Sequence, residues 1–238
     1  MTKAANQPAK STYRAGQPIV IVRGGPAPDP RVIATLPADR YVIAVDRGYD
    51  HARTLGLSVD VVVGDLDSIS AGARADLSAH GIDVHEYPTD KDATDLELAL
   101  ELAARIAVEP TSVSVLAGPG WEDRFDHVAG QFGLLASPRW AELDLRAYLG
   151  TALVRPLHGA RESNVLGPIG AFVSLVPVGG PAFGVSTSGL RFPLANETLD
   201  VFATRGISNQ IVRSPARVCL ERGVLLVILP TALEGTVT

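Results

Sequence analysis

Two hydrophobic rhythms divide this chain of 238 residues. As far as about residue 150, short apolar or β-branched runs alternate with stretches of helical period. The runs are Ile19–Val22, Tyr41–Val45, Val59–Val63, Val113–Leu116 and Leu143–Tyr148, with a weaker one at Val84–Tyr87. Gly48–Leu55, Ala71–His80, Ala93–Ala107 and Phe125–Ala136 predict helices between most of them. Such alternation predicts an α/β fold: a parallel, Rossmann-like sheet with helices on both faces. The clearest helix starts after Asp92, where Leu96, Ala99, Leu100, Ala103 and Ala107 form one apolar stripe. Glu97, Glu101 and Arg105 lie opposite, with Glu101 and Arg105 at the favourable i,i+4 spacing. Asp92 is the expected N-cap, which puts Asp95 in the first turn, where negative charge suits the helix dipole.

Beyond residue 150 the long helical period is gone. Ala171–Val176, Phe183–Thr187, Gln210–Val212, Arg217–Glu221 and Val224–Leu229 are short runs separated by Gly, Pro, Ser and Asn, with Arg222-Gly223 as a turn. This spacing predicts a smaller all-β unit, an antiparallel sandwich or barrel. The expected division is a polar, disordered tail over 1–17, an α/β domain over 18–150 and the all-β domain over 151–238.

Composition narrows the classes. Aromatic residues make up 5% of the chain, so the core is expected to be aliphatic. A formal charge of −5 leaves no basic footprint for nucleic acid. No apolar stretch reaches the roughly 18–20 residues that a bilayer span needs, and the tail lacks the apolar segment of a signal peptide. The single cysteine, Cys219, sits in an apolar run and reads as a buried structural residue. A cytoplasmic protein is expected.

The chemistry gathers in two acidic segments, Gly64-Asp65-Leu66-Asp67-Ser68 and Asp90-Lys91-Asp92-Ala93-Thr94-Asp95. Their five carboxylates would repel one another if they converged without a cation. Around Mg²⁺ they describe a phosphate-handling site, because hard divalent cations take oxygen ligands and bridge to substrate phosphates. Asp65 and Asp67 follow a predicted buried strand and, two residues apart, share one side of an extended backbone. Asp46 ends the preceding strand and is expected on the same rim, where open α/β sheets bind ligands. A lone Asp at a strand end more often starts a turn; four on one edge make that the weaker account. Lys91 is the only lysine beyond the tail and stands inside the acidic cluster. It can neutralise phosphate charge or balance its neighbours.

Gly118-Pro119-Gly120-Trp121-Glu122-Asp123-Arg124-Phe125-Asp126-His127 follows another predicted strand. Its glycines would let backbone approach a polyphosphate, and Arg124 offers a bidentate fork. The segment is neither a Walker A loop nor Gly-x-Gly-x-x-Gly. Asp126 and His127 read equally as an acid/base pair or as a helix-start carboxylate beside a surface histidine. The five histidines never fall at zinc-ligand spacing.

Taken in order, the segments resemble the thiamine pyrophosphokinase family. That family carries Asp-Gly-Gly, Gly-Asp-x-Asp-Ser, Lys-Asp-x-Thr-Asp and Gly-Arg-x-Asp-His, then Gly-Leu-x-x-x-Leu followed by Ser-Asn. Here stand Asp46-Arg47-Gly48, Gly64–Ser68, Lys91–Asp95, Asp123–His127, Gly189–Leu194 and Gly206-Ile207-Ser208-Asn209. The resemblance spans residues 18 to 230. It implies an N-terminal α/β domain, a C-terminal β-sandwich, and a homodimer with thiamine bound between subunits. It further implies transfer of the pyrophosphoryl group of ATP to thiamine, giving thiamine diphosphate and AMP. By that analogy Asp65, Asp67 and Asp95 are Mg²⁺ ligands with Asp46 close by. Arg47, Lys91, Asp92, Thr94, Gly118, Gly120, Arg124 and Asp126 contact ATP or order the site, and Ser208 and Asn209 border the thiamine pocket.

Three departures stand out. Arg47 replaces the first glycine of Asp-Gly-Gly, as an extra phosphate clamp or an obstruction. The glycine loop is longer than usual, with Glu122 and Asp123 where a small residue is common, and Gln131 replaces the usual Asn after Asp-His. Two other readings share the motifs: a non-catalytic thiamine- or nucleotide-binding regulatory relative, and a Mg-dependent diphosphotransferase or hydrolase with another acceptor.

Overall fold

The computed structural model describes residues 13–67, 69–108, 110–120 and 124–234. Ser68, Trp121, Glu122, Asp123 and the first twelve residues of the expected tail lie outside that set. The chain begins β1 (Ile19–Val22), β2 (Tyr41–Val45), α1 (Gly48–Thr54), β3 (Val61–Gly64), α2 (Ala71–His80) and β4 (Asp83–Glu86). It continues α3 (Asp95–Ile106), β5 (Ser112–Ala117), α4 (Phe125–Leu135) and β6 (Asp144–Leu149). These six strands pair in parallel in the order β6-β5-β1-β2-β3-β4.

Alternate residues of the strands feed opposite faces, as pleated backbone requires. Ile19, Ile21, Ile43 and Val115 pack with Leu96, Ala99, Leu100 and Ala103 of α3 and Leu135 of α4. Val20, Val22 and Val42 face the other way onto Ala52 of α1, and Ala44 and Val62 onto Tyr49 of α1 and Leu77 of α2. Helices therefore cover both faces, as the hydrophobic period predicts.

The change of rhythm at residue 150 is a hairpin. β6 turns at Gly150 and Thr151 directly into β7 (Ala152–His158), and a connection that short permits only antiparallel pairing. There follow β8 (Arg161–Val165), β9 (Phe172–Pro177), β10 (Ala182–Ser188), β11 (Glu197–Leu199), β12 (Asn209–Gln210), β13 (Ala216–Leu220) and β14 (Val224–Leu229). The large sheet runs on through the hairpin into ten strands, β12-β9-β14-β7-β6-β5-β1-β2-β3-β4. A second, antiparallel sheet has the order β11-β10-β13-β8. Leu157, Leu175, Leu225 and Val227 from the large sheet share one buried cluster with Val165, Val185, Leu199 and Val218 from the small one.

Several local expectations are corrected. Thr94, not Asp92, caps α3: its hydroxyl accepts from Glu97 N at 3.3 Å. Glu101 pairs with Arg139 rather than Arg105, and Glu97 joins it; Arg139 in turn lies 4.6 Å over the Trp140 ring. Cys219 is half-buried on the outer side of β13, its Sγ 3.9 Å from Glu162, because strand alternation buries Val218 and Leu220 instead. Of the expected tail, residues 13–17 are held. Tyr13 packs edge-on against Tyr41 at 5.5 Å, and Arg14 and Gln17 both bond Asp39. Among the described residues no helix is long and apolar enough to cross a membrane.

His158, at the end of β7, is only 9% exposed, and neither ring nitrogen has a hydrogen-bond partner. Burial, then the charge of Arg161, lowers its pKa below the ordinary 6.5. The unfolded chain takes up this proton more readily than the folded one, so stability is present above pH 6.5 and is lost as pH falls through the lowered value. On lowering the pH from 7.5 to 5, His158→Leu should gain thermal stability relative to wild type; an unchanged difference would remove the His158 contribution.

Candidate active site

A cavity of about 540 Å³ opens at the carboxyl ends of the parallel strands. Its walls come from four segments: Arg23 to Pro26 after β1, Val45 and Asp46 after β2, Thr94 to Glu97 opening α3, and Gly120, Arg124 and the first turns of α4. Ligands bind at this edge because the loops there diverge and helix N-termini face it.

One wall is acidic. Asp46 lies half-buried with its backbone in the left-handed region (φ +45°), as does Leu66 (φ +61°). For residues with a side chain such backbone costs on the order of 1 kcal/mol or more each, a strain found where a site demands it. Gly64 has φ +146°, and a Cβ there would overlap the Asp46 carboxylate. Its lack of a side chain therefore makes room for Asp46. Leu66 N donates to Asp46 Oδ1 at 3.4 Å, and Asp67 N donates to Asp65 Oδ1 at 3.2 Å. The two motif aspartates thus meet across a tight turn rather than along a pleated strand.

Lys91 stands among these acids, its Nζ 3.0 Å from Asp95 Oδ1 and 3.7 Å from Asp65 Oδ2. Burial works to lower the lysine pKa, but Asp95, Asp65 and Asp46 outweigh it and the net shift is upward. Asp95 Oδ1 is buried, and the ammonium is its ion-pair partner. Burial, then the charges of Asp95 and Asp65, push Asp46 up to about 7. Asp65 is lowered, chiefly by the Asp67 backbone amide, and Asp67 is raised by Asp65. Asp46, Asp65, Asp67 and Asp95 therefore fall within one electrostatic neighbourhood. Among the described residues no three acids, histidines or cysteines are already gathered as ligands of one ion.

Basic groups line the same cavity. Arg124 forms a two-pronged pair with Asp126, Nε to Oδ1 at 3.0 Å and Nη2 to Oδ2 at 2.9 Å. That pairing holds Asp126 down at about 2, so it is a poor proton acceptor and serves to aim the guanidinium. The His127 imidazole lies 3.9 Å from Asp126 Oδ2. Arg23, which the motifs do not include, donates from Nη1 to Gln131 Oε1 at 3.0 Å. The glycines at 24 and 25 follow a parallel strand, the same signal that marks the Gly118 loop.

Not every predicted residue lines this cavity. Gly120, Thr94, Arg124 and Asp126 do; Asp65, Asp67 and Lys91 stand beside its acidic wall. Arg47 is exposed at the start of α1, and Asp92 is exposed ahead of α3. Gly118 is buried, and a Cβ on it would come within 2.5 Å of Ala27 O and 2.6 Å of Pro26 O, so its missing side chain admits a neighbouring loop. Ser208 and Asn209 are on the far side of the sheet. The Asn209 amide is spent on Phe192, accepting from its N–H at 3.0 Å and donating to its carbonyl at 2.7 Å.

The family described as thiamin pyrophosphokinase, catalytic domain, matches residues 34–148, and its vitamin B1 binding domain matches residues 162–225. The chain is similar to a thiamine pyrophosphokinase of Bacillus subtilis, 25% identical over 189 residues, which cover 79% of this chain and 86% of the relative. The fold is similar to the crystal structure of thiamine pyrophosphokinase from Bacillus subtilis, with a TM-score of 0.78 and 25% identity over 90% of this chain and 99% of that one. Yeast thiamin pyrophosphokinase shares the fold at a TM-score of 0.73 and 13% identity, over 95% of this chain and 90% of that one. With both domains matched in order and the carboxylates of its motifs brought to one strand edge, the chain belongs to the thiamin pyrophosphokinase family.

Proposed function

We propose that this protein transfers the pyrophosphoryl group of ATP to the hydroxyl of thiamine, giving thiamine diphosphate and AMP. The observation that carries the reading is one cavity lined by both carboxylates and guanidinium groups, inside a chain that both thiamin pyrophosphokinase domains match. The thiamine oxygen attacks the β-phosphorus, the bond from that phosphorus to the α-phosphate oxygen breaks, and AMP leaves. Chemistry of this kind depends on positioning and charge, so no strong base is required. Arg124, aimed by Asp126, offsets charge on the transferred group, and Lys91 and Thr94 order the acidic side.

The donor set fits Mg²⁺. All the candidate ligands are hard carboxylate oxygens, and buried Asp95 Oδ1 has the Lys91 ammonium as its ion-pair partner, a cation at the place a metal would take. Asp65, Asp67 and Asp95 would hold the ion, with Asp46 behind them. Bound there, Mg²⁺ would neutralise phosphate charge and orient the polyphosphate.

Distance supports our reading of the protein as a homodimer whose Ser208 and Asn209 border thiamine. Ser208 and Asn209 lie on or beside β12, six strand positions from β1. At about 4.8 Å per strand that is roughly 29 Å, too far for one chain to bring them to its own cavity. We read the antiparallel end of the large sheet and the small sheet as a thiamine-binding β-sandwich that serves a second copy. Exposed apolar residues surround β12: Phe172 (47%), Phe192 (61%), Phe202 (97%), Ile207 (46%) and Val212 (52%). Such a patch suits a protein contact. We read the enzyme as cytoplasmic, a location with which its lone Cys219, unable to form an intramolecular disulfide, is compatible.

Separating AMP from ADP after incubation with Mg-ATP and thiamine tests the reaction: AMP should form only when thiamine is present. Asp67→Ala should remain folded and lose Mg-dependent turnover by two orders of magnitude or more; undiminished AMP formation by this variant would remove Asp67 from the metal site.

A second check is on stability. Asp46 has a folded pKa near 7 against an ordinary 3.8, so the stability linked to its protonated form is complete below 3.8 and lost as pH rises through 7. Without divalent ions, Asp46→Asn should melt higher than wild type at pH 8 and alike at pH 4. Light scattering should give two copies per particle, and Phe172→Asp should shift the particle towards one copy with its circular dichroism unchanged.

A further inference from the structure

Arg23 is a cation without a counter-ion. It leaves the end of β1, lines the cavity, and is more than half-buried, yet among the described residues no carboxylate lies within ion-pair distance. Burial, then the neighbouring Arg124, makes its charged form less favourable. Arg124 has Asp126 to balance it; Arg23 has only the neutral amide of Gln131.

Gln131 supplies a second, separate observation. It is 5% exposed, and a guanidinium can only donate, so its carbonyl must face Arg23. The Nε2 group is thereby turned away, and it is buried without any hydrogen-bond partner. A buried donor left unpaired is unfavourable, and an acceptor oxygen on a bound ligand would satisfy it. The unpaired arginine charge and the orphan Gln131 amide belong to residues that line the same cavity as Asp46 and Asp95.

We propose that Arg23 and Gln131 form an anion subsite that takes phosphate oxygens of the nucleotide, with Arg23 a binding residue and Gln131 both its positioner and a second donor. The assignment rests on the proposed function for the identity of the nucleotide. Charge decides which substrate lies here. The thiazolium ring of thiamine is cationic and would be repelled by Arg23 and Arg124 together, whereas the polyphosphate is drawn to them. The nucleotide phosphates then span the cavity, anchored by guanidinium groups at one end and by the acidic wall and its cation at the other. Arg23 and Gln131 are 108 positions apart and meet only because β1 and α4 flank one cleft.

The test is calorimetric binding of the α,β-methylene analogue of ATP, which cannot undergo transfer, with Mg²⁺ present. Adenosine, which has no phosphate, serves as control in competition. Loss of a hydrogen bond to a charged group corresponds to roughly ten- to hundredfold in affinity. Arg23→Ala should raise Kd for the analogue by that factor and leave adenosine unchanged. Arg23→Lys should recover part of the loss, and Gln131→Leu should weaken the analogue by about three- to tenfold. Should Arg23→Ala fold poorly, Arg23→Gln keeps bulk and hydrogen-bonding capacity and removes only the charge. Unchanged analogue affinity in these arginine variants, or an equal loss for adenosine, overturns the subsite. If wild-type protein forms no AMP from thiamine while Arg23→Ala still loses analogue affinity, the subsite stands and the proposed reaction falls.

Discussion

Four aspartates held together against their own repulsion set the terms for this molecule. At an effective dielectric of about 20, two unit charges 4 Å apart repel by roughly 4 kcal/mol, comparable to a large share of a domain's net stability. The protein accepts that cost at one strand edge, with left-handed backbone at Asp46 and Leu66, a glycine at position 64 emptied to seat a carboxylate, and one lysine among the acids. None of these devices improves folding by itself. Together they gather carboxylate oxygens at one edge of the sheet.

The rest of the fold can be read as support for that edge. Six parallel strands fix the carboxyl ends of β1, β2, β3 and β5 side by side, and helices packed on both faces hold the strands in register. The cleft is polar in both senses, lined by acids and guanidinium groups together. Beyond the hairpin at Gly150 the same sheet continues, so the antiparallel part is joined rigidly to the site rather than hung from a linker.

Where sequence reasoning fell short, the causes are specific. β7 escaped notice because Pro156 interrupts its apolar pattern, and it is tolerated there beside Leu226 of β14. β8, Arg161–Val165, is mostly polar because one face of it is solvated. Asp92 looked like a cap because it precedes the apolar stripe, yet Thr94 sits one residue before the first helical turn and takes the role. Arg23 was passed over although it follows a parallel strand and precedes two glycines, a signal already applied to the loop after β5.

What the sequence by itself determined is local and periodic. Alternating runs yield strands, the 3.6-residue stripe yields α3, and acidic motifs at strand ends place Asp46, Asp65, Asp67 and Asp95 on one rim. The order of segments also carries the family resemblance. Tertiary structure alone decided which charges meet: Lys91 with Asp65 and Asp95, Glu97 and Glu101 with Arg139, Arg23 with Gln131. It alone set β12 six positions from β1 within a single continuous sheet. The reason is that period and propensity act within a few residues, whereas strand order and side-chain partners are settled when distant segments compete to bury the same apolar surface.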